Sequence, residues 1–70
     1  MDLLNIIKSI RPVDFEGYGV AVAYTDIFIE SGLDRDALGF ELRELKKRGK
    51  ITLCVDESHD ENLIIAVKLV

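Results

Sequence analysis

Thiol chemistry in this chain rests on a single residue. Cys54 is the one cysteine among 70 residues, so no disulfide can form within the chain and a reducing, cytoplasmic setting is expected. Tryptophan is absent, and histidine and proline occur once each, as His59 and Pro12. These shortages remove most catalytic arrangements. Cys54 is expected to point out of a strand and His59 to sit in a polar connection, while Ser9, Ser31 and Ser58 lie at helix ends or in a loop. No glycine-rich phosphate loop follows a strand, and no nucleophile stands at an activating distance from a base. We expect neither an enzyme nor a cofactor. Asp56, His59, Asp60 and Glu61 make a poor metal set, with one imidazole and adjacent carboxylates on one turn, so no metal is expected either.

Long apolar runs are also missing. Stretches such as Val20–Tyr24 fall far short of the roughly 20 residues that a membrane span needs. The opening "MDLLNIIKSIRP" has no basic leader and no small-residue cleavage site. No membrane partner is expected. What the chain does have is 49% hydrophobic and 31% charged residues, the balance of a folded unit rather than a disordered one. Its length fits one domain spanning 1–70, and a domain this small buries only about 60% of its unfolded surface.

Charge is distributed unevenly. The net value is −4, which opposes simple binding to nucleic acid. Residues 35–50, however, hold six cations (Arg35, Arg43, Lys46, Lys47, Arg48, Lys50) against three carboxylates, a local charge of +3. Local charge steers a partner more than the total does. Asp56, Glu57, Asp60 and Glu61 then follow within a few residues.

Hydrophobic spacing predicts the elements. Leu3, Ile6, Ile7 and Ile10 share one face of a helix capped by Asp2 and ended by Pro12. "VDFEGYG" reads as a loop with two glycine hinges, and Val20–Val22 as a short strand. Thr25 is expected to cap a second helix, which Gly32 stops with a left-handed turn. Asp34 caps a third helix, with Leu38, Leu42 and Leu45 inward, Glu44 able to pair with Arg48, and Gly49 at its end. Ile51, Leu53 and Val55 then alternate with Thr52 and Cys54. Leu63, Ile65, Val67 and Leu69 share one side of a last strand, and the two strands form an antiparallel hairpin. The expected class is α+β, in the order helix, strand, helix, helix, strand, strand.

"TDIFIESGLDRDALGFELRELKKRGKI" within this succession resembles the winged-helix variant of the helix-turn-helix family. Ile27 and Phe28 match the apolar pair of the second helix, and Gly32-Leu33 its turn. Leu38, Leu42 and Leu45 match the trio of the third helix, with Gly49 and Ile51 closing the pattern. The end of the third helix is similar to that of MarR-type and ArsR-type repressors. The resemblance implies a winged helix with the C-terminal hairpin as its wing, and a third helix that enters the DNA major groove.

On that helix Asp36, Phe40, Arg43 and Lys47 point roughly 140° to 200° from Leu38, away from the core. Arg43 would donate to a guanine edge and Lys47 would neutralise a phosphate, with Lys46, Lys50 and Arg35 as further backbone contacts. The same cations also suit a helix C-terminus without any ligand. Phe40 would meet a thymine methyl, anchor a protein partner, or fold back over the first helix as core. The first expectation is a DNA-binding transcriptional regulator acting on double-stranded DNA, as a homodimer through the first helix, Phe40 or a sheet edge. The alternative is a winged-helix protein-interaction module, meeting a basic protein surface through Phe40, Asp56, Glu57, Asp60 and Glu61.

Overall fold

The computed structural model describes residues 2–56 and 63–70. They form a small α+β domain of three helices and a four-stranded antiparallel sheet. Helix α1 (Leu3–Ser9) is capped by Asp2, whose carboxylate accepts from the Asn5 N–H at 3.4 Å. Ile10 has already left the helix for extended geometry, two residues ahead of Pro12. Leu3 and Ile7 are buried, and Ile6 and Ile10 lean on the same core.

The segment expected as a glycine-hinged loop is a hairpin instead. Strands β1 (Val13–Phe15) and β2 (Gly19–Ala23) pair antiparallel, with Phe15 opposite Gly19. Between them the Tyr18 N–H donates to the Phe15 carbonyl at 3.0 Å. Gly17 at φ 85° and Gly19 at φ 83° supply backbone that other residues rarely adopt, so the glycines make a tight turn rather than hinges. Among the described residues there is therefore one strand more than the hydrophobic spacing indicates.

Helix α2 (Tyr24–Ser31) follows β2 without a break. Its N-cap is Ala23, which makes no side-chain capping bond, and the expected cap Thr25 lies inside the first turn. The reason is the pairing of Ala23 with Ala66, which holds the backbone extended up to residue 23. Gly32 turns left-handed at φ 68°. Buried Ser31 is satisfied at this turn, donating to the Phe28 carbonyl and accepting from the Leu33 N–H, both at 3.3 Å.

Helix α3 (Arg35–Lys47) opens on Asp34, which accepts from the Ala37 N–H at 2.8 Å. It closes with two bonds, Gly49 N–H to Lys46 O and Lys50 N–H to Leu45 O, both at 3.0 Å, around Gly49 at φ 74°. That pair is the Schellman arrangement, which satisfies carbonyls the helix end would otherwise leave open. Leu38, Leu42 and Leu45 are all buried.

Strands β3 (Ile51–Asp56) and β4 (Leu63–Leu69) complete a sheet of order β1-β2-β4-β3, so β1 and β3 are its outer strands. An irregularity between Cys54 and Val55 shifts the register: Cys54 faces Ala66, but Val55 faces Ile64. Ile65 is thereby the unpaired residue of a bulge, and strict alternation along β4 fails. Ile64 and Val67 join the helices, while Ile65 and Ala66 face the other way. The expected single row of Leu63, Ile65, Val67 and Leu69 is broken at this point.

The main core joins Leu3, Ile7, Ile27, Leu38, Leu42 and Leu45 of the helices to Val22, Ile51 and Val67 of the sheet. A second core occupies the opposite face. There the N-terminal hairpin brings Phe15 and Tyr18 onto Ala21, Cys54 and Ala66, and the Tyr18 hydroxyl donates to the Val55 carbonyl at 3.0 Å. Cys54, expected to point outward into water, is buried beneath these rings. No helix among the described residues is long and apolar enough to cross a membrane.

Candidate functional site

Charge on α3 is sorted by flank except at Asp36, which shares the cationic side. At about 100° per residue, Arg35, Lys46, Gly39, Arg43 and Asp36 lie roughly 60° to 160° from the buried Leu38. Glu41 and Glu44 lie on the opposite flank. Phe40 and Lys47 sit between the two, on the outermost line of the helix. Arg35, Arg43, Lys46, Lys47 and Lys50 are all exposed, and among the described residues only Lys47 of this group has an ion-pair partner. That partner is Glu44 at 4.0 Å, three residues back, so Glu44 pairs with Lys47 rather than with Arg48. A surface pair of this kind contributes little to stability, so it leaves Lys47 available to a ligand.

The cationic flank borders a cleft of about 270 Å³. Arg35, Asp36, Gly39 and Arg43 form its helical side. Tyr24, the first residue of α2, and Leu63 and Ile64, the first of β4, form the remainder. Tyr24 is braced there by Phe28, whose ring stacks on it at 6.3 Å between centroids. Phe28 is thus turned to the surface, whereas its expected core companion Ile27 is fully buried.

Gly39 lines this cleft but is itself buried, with the Arg43 side chain over it. The other four glycines all have positive φ, so their backbone accounts for them, but Gly39 is an ordinary helical residue. Inside a helix glycine costs roughly 1 kcal/mol relative to alanine. A methyl group at this position would stand 3.6 Å from Arg43 Nη1 and 4.0 Å from its Cζ, an ordinary contact. The Arg43 side chain thus lies back along α3 over Gly39, as helical side chains lean toward the N-terminus.

Phe40 is 59% exposed, so it does not fold back over α1 or the N-terminal segment. Asp56 is half-buried at the end of β3. Glu57, His59, Asp60 and Glu61 lie outside the described residues. The structure therefore gathers Arg35, Asp36 and Arg43 at one cleft and leaves Phe40, Lys46 and Lys47 exposed along the same helix, with Lys50 exposed in the turn just beyond it. It adds Tyr24, Gly39, Leu63 and Ile64 to the candidates. For Gly39 the signal was present in the sequence, as an isolated glycine within a helical pattern. The others enter only through the path of the chain. Compared with known proteins, the chain matches no family model, no curated protein and no solved structure.

Proposed function

We propose that the chain is a winged-helix domain that binds double-stranded DNA through α3, as a transcriptional regulator. The strand order β2-β4-β3 behind three helices, and the tight turn between α2 and α3, support the fold; the added β1 is a departure from the family pattern. The single observation that carries the function is the sorted charge of α3. Its cationic flank faces an open cleft, while Glu41 and Glu44 are kept on the other side. This lets a chain of net charge −4 present a positive surface to phosphates.

The test is binding to a mixed-sequence duplex across a salt series. Affinity should fall with salt at a log–log slope near −0.9 for each phosphate neutralised. Lys47→Ala should weaken all sequences alike and make that slope shallower. No detectable binding at about 50 mM salt, where such contacts are strong, overturns the reading.

One observation favours a second reading. Phe40 exposes 59% of its surface on the outermost line of α3. A large exposed ring suits the desolvated centre of a protein interface. In that reading Phe40, Asp56, Glu57, Asp60 and Glu61 meet a basic protein surface, and Phe40→Ala abolishes a protein complex while duplex binding is absent from the outset. If Phe40→Ala leaves every protein complex of this chain intact, the second reading fails.

A further inference from the structure

We infer that the outer edge of β3 pairs with the same edge of a second copy of this chain, antiparallel about a two-fold axis at Leu53. The inference does not depend on what α3 binds. It starts from the two outer strands of the sheet, which end it in different ways. An open strand edge invites pairing with another chain, and folded proteins blunt it with shortness, proline or charge. Strand β1 has all three, being three residues long, preceded by Pro12 and centred on Asp14. Strand β3 is six residues long, and positions 51–55 within it carry no charge, proline or glycine.

Hydrogen bonding fixes which groups of β3 point outward. The Val70 N–H donates to the Lys50 carbonyl at 3.2 Å, so that carbonyl faces β4. Backbone groups alternate in direction along a strand, so those of Thr52 and Cys54 also face β4, while Ile51, Leu53 and Val55 turn their N–H and C=O away from it. The Val55 carbonyl agrees, because it accepts from the Tyr18 hydroxyl and not only from the ladder. It keeps a second lone pair for a strand alongside. Among the described residues, no backbone group outside the sheet bonds to Ile51 or Leu53.

The edge complements its own reverse, and this selects a second copy as the occupant. With Leu53 opposite Leu53, Ile51 stands opposite Val55, Thr52 opposite Cys54 and Lys50 opposite Asp56. Apolar side chains meet apolar ones on the face that carries the main core, and a cation meets a carboxylate at both ends. The outward N–H and C=O groups of Ile51, Leu53 and Val55 meet one another in this register. Moving the axis by one residue parts Lys50 from Asp56. The axis stands perpendicular to the sheet, so both copies of α3 lie on one face of the joined sheet, the placement that two half-sites on one duplex require. Because β1 is blunted, the pairing closes at two chains.

Sedimentation velocity of the full chain, without nucleic acid and under reducing conditions, tests this from about 1 μM to 1 mM. The mass should rise from that of one chain to that of two. Amide hydrogen exchange on the same samples should show Ile51, Leu53 and Val55 protected only at the high concentrations, with Thr52 and Cys54 protected throughout. Lys50→Glu, at an exposed position, should weaken the dimer about tenfold by setting like charges opposite each other at both ends. Combining it with Asp56→Lys should restore pairing.

A monomer at every concentration overturns the inference and leaves the edge to a foreign strand. Concentration-dependent protection elsewhere in the chain, with the β3 amides unchanged, assigns self-association to another surface. A charge swap that fails to restore pairing overturns the register. Masses that grow past two chains show open-ended aggregation in place of the closed pair.

Discussion

Tyr18 holds the second core together with a single hydroxyl. Its ring covers Cys54 and Ala66, and its O–H reaches the Val55 carbonyl 37 positions along the chain, at 3.0 Å. Tyr18→Phe keeps the ring and removes the bond, leaving a partly buried carbonyl without that donor. The expected cost is about 1 kcal/mol, read as a lower urea midpoint at unchanged m-value. An unchanged midpoint would mean that the hydrogen bond adds nothing. Cys54 shows what a sequence can and cannot say at this scale. Alternation correctly separates Cys54 from Ile51 as belonging to opposite faces of β3. It is silent on whether the second face is wet, because the residues that cover it come from the distant segment 13–19. Small side chains at Ala21, Cys54 and Ala66 were the available clue: they leave room above the sheet for Phe15 and Tyr18.

Among the elements, α3 was the most legible, because its signals are local. Asp34, the Leu38, Leu42 and Leu45 spacing and Gly49 each act within a turn or two, and each stands where the spacing puts it. Asp34→Ala should remove the capping bond to Ala37 and cost about 1 kcal/mol of stability, seen as a lower melting temperature. Asp34→Asn should keep most of it; equal loss in both variants would show that charge, and not the cap, was responsible. Where elements depend on partners, the local signal fails. Thr25 is a good capping residue, but β2 pairs with β4 up to Ala23 and hands the chain directly to α2. The bulge in β4 was equally hidden. It is set by how β3 and β4 register across the sheet, and no residue type in "LIIAVKLV" announces it. The cleft inherits this limit. Its helical side could be read from α3 alone, whereas Tyr24, Leu63 and Ile64 are brought to it by strand pairing.

At the scale of the molecule, 70 residues sustain two small cores on the two faces of one sheet. The arrangement buries Ala21, Val22, Ile51, Cys54, Ala66 and Val67 of the strands while Val13, Val20, Leu63 and Leu69 stay exposed, and it leaves α3 as the place where cations collect. Segregation of charge between residues 35–50 and the rest was visible in the sequence, and the flank-by-flank sorting on α3 sharpens it to one side of one helix. The total of −4 then becomes a matter of salt. On the proposed duplex binding, a Debye length of about 8 Å near physiological salt keeps carboxylates farther away than that from opposing the cationic flank.

The join between β2 and β4 has a further consequence, for folding. It consists of two register pairs, Val22 with Val67 and Ala23 with Ala66, and it closes a loop of about 45 residues. Helices α2 and α3 can assemble from neighbours in sequence, but the wall of the cleft supplied by β4 exists only once that loop has shut. A ligand held in the cleft would therefore draw on contacts from both sides of the closure and favour the closed chain by mass action. Occupancy of the cleft and completion of the topology are in this sense one equilibrium, measured from its two ends.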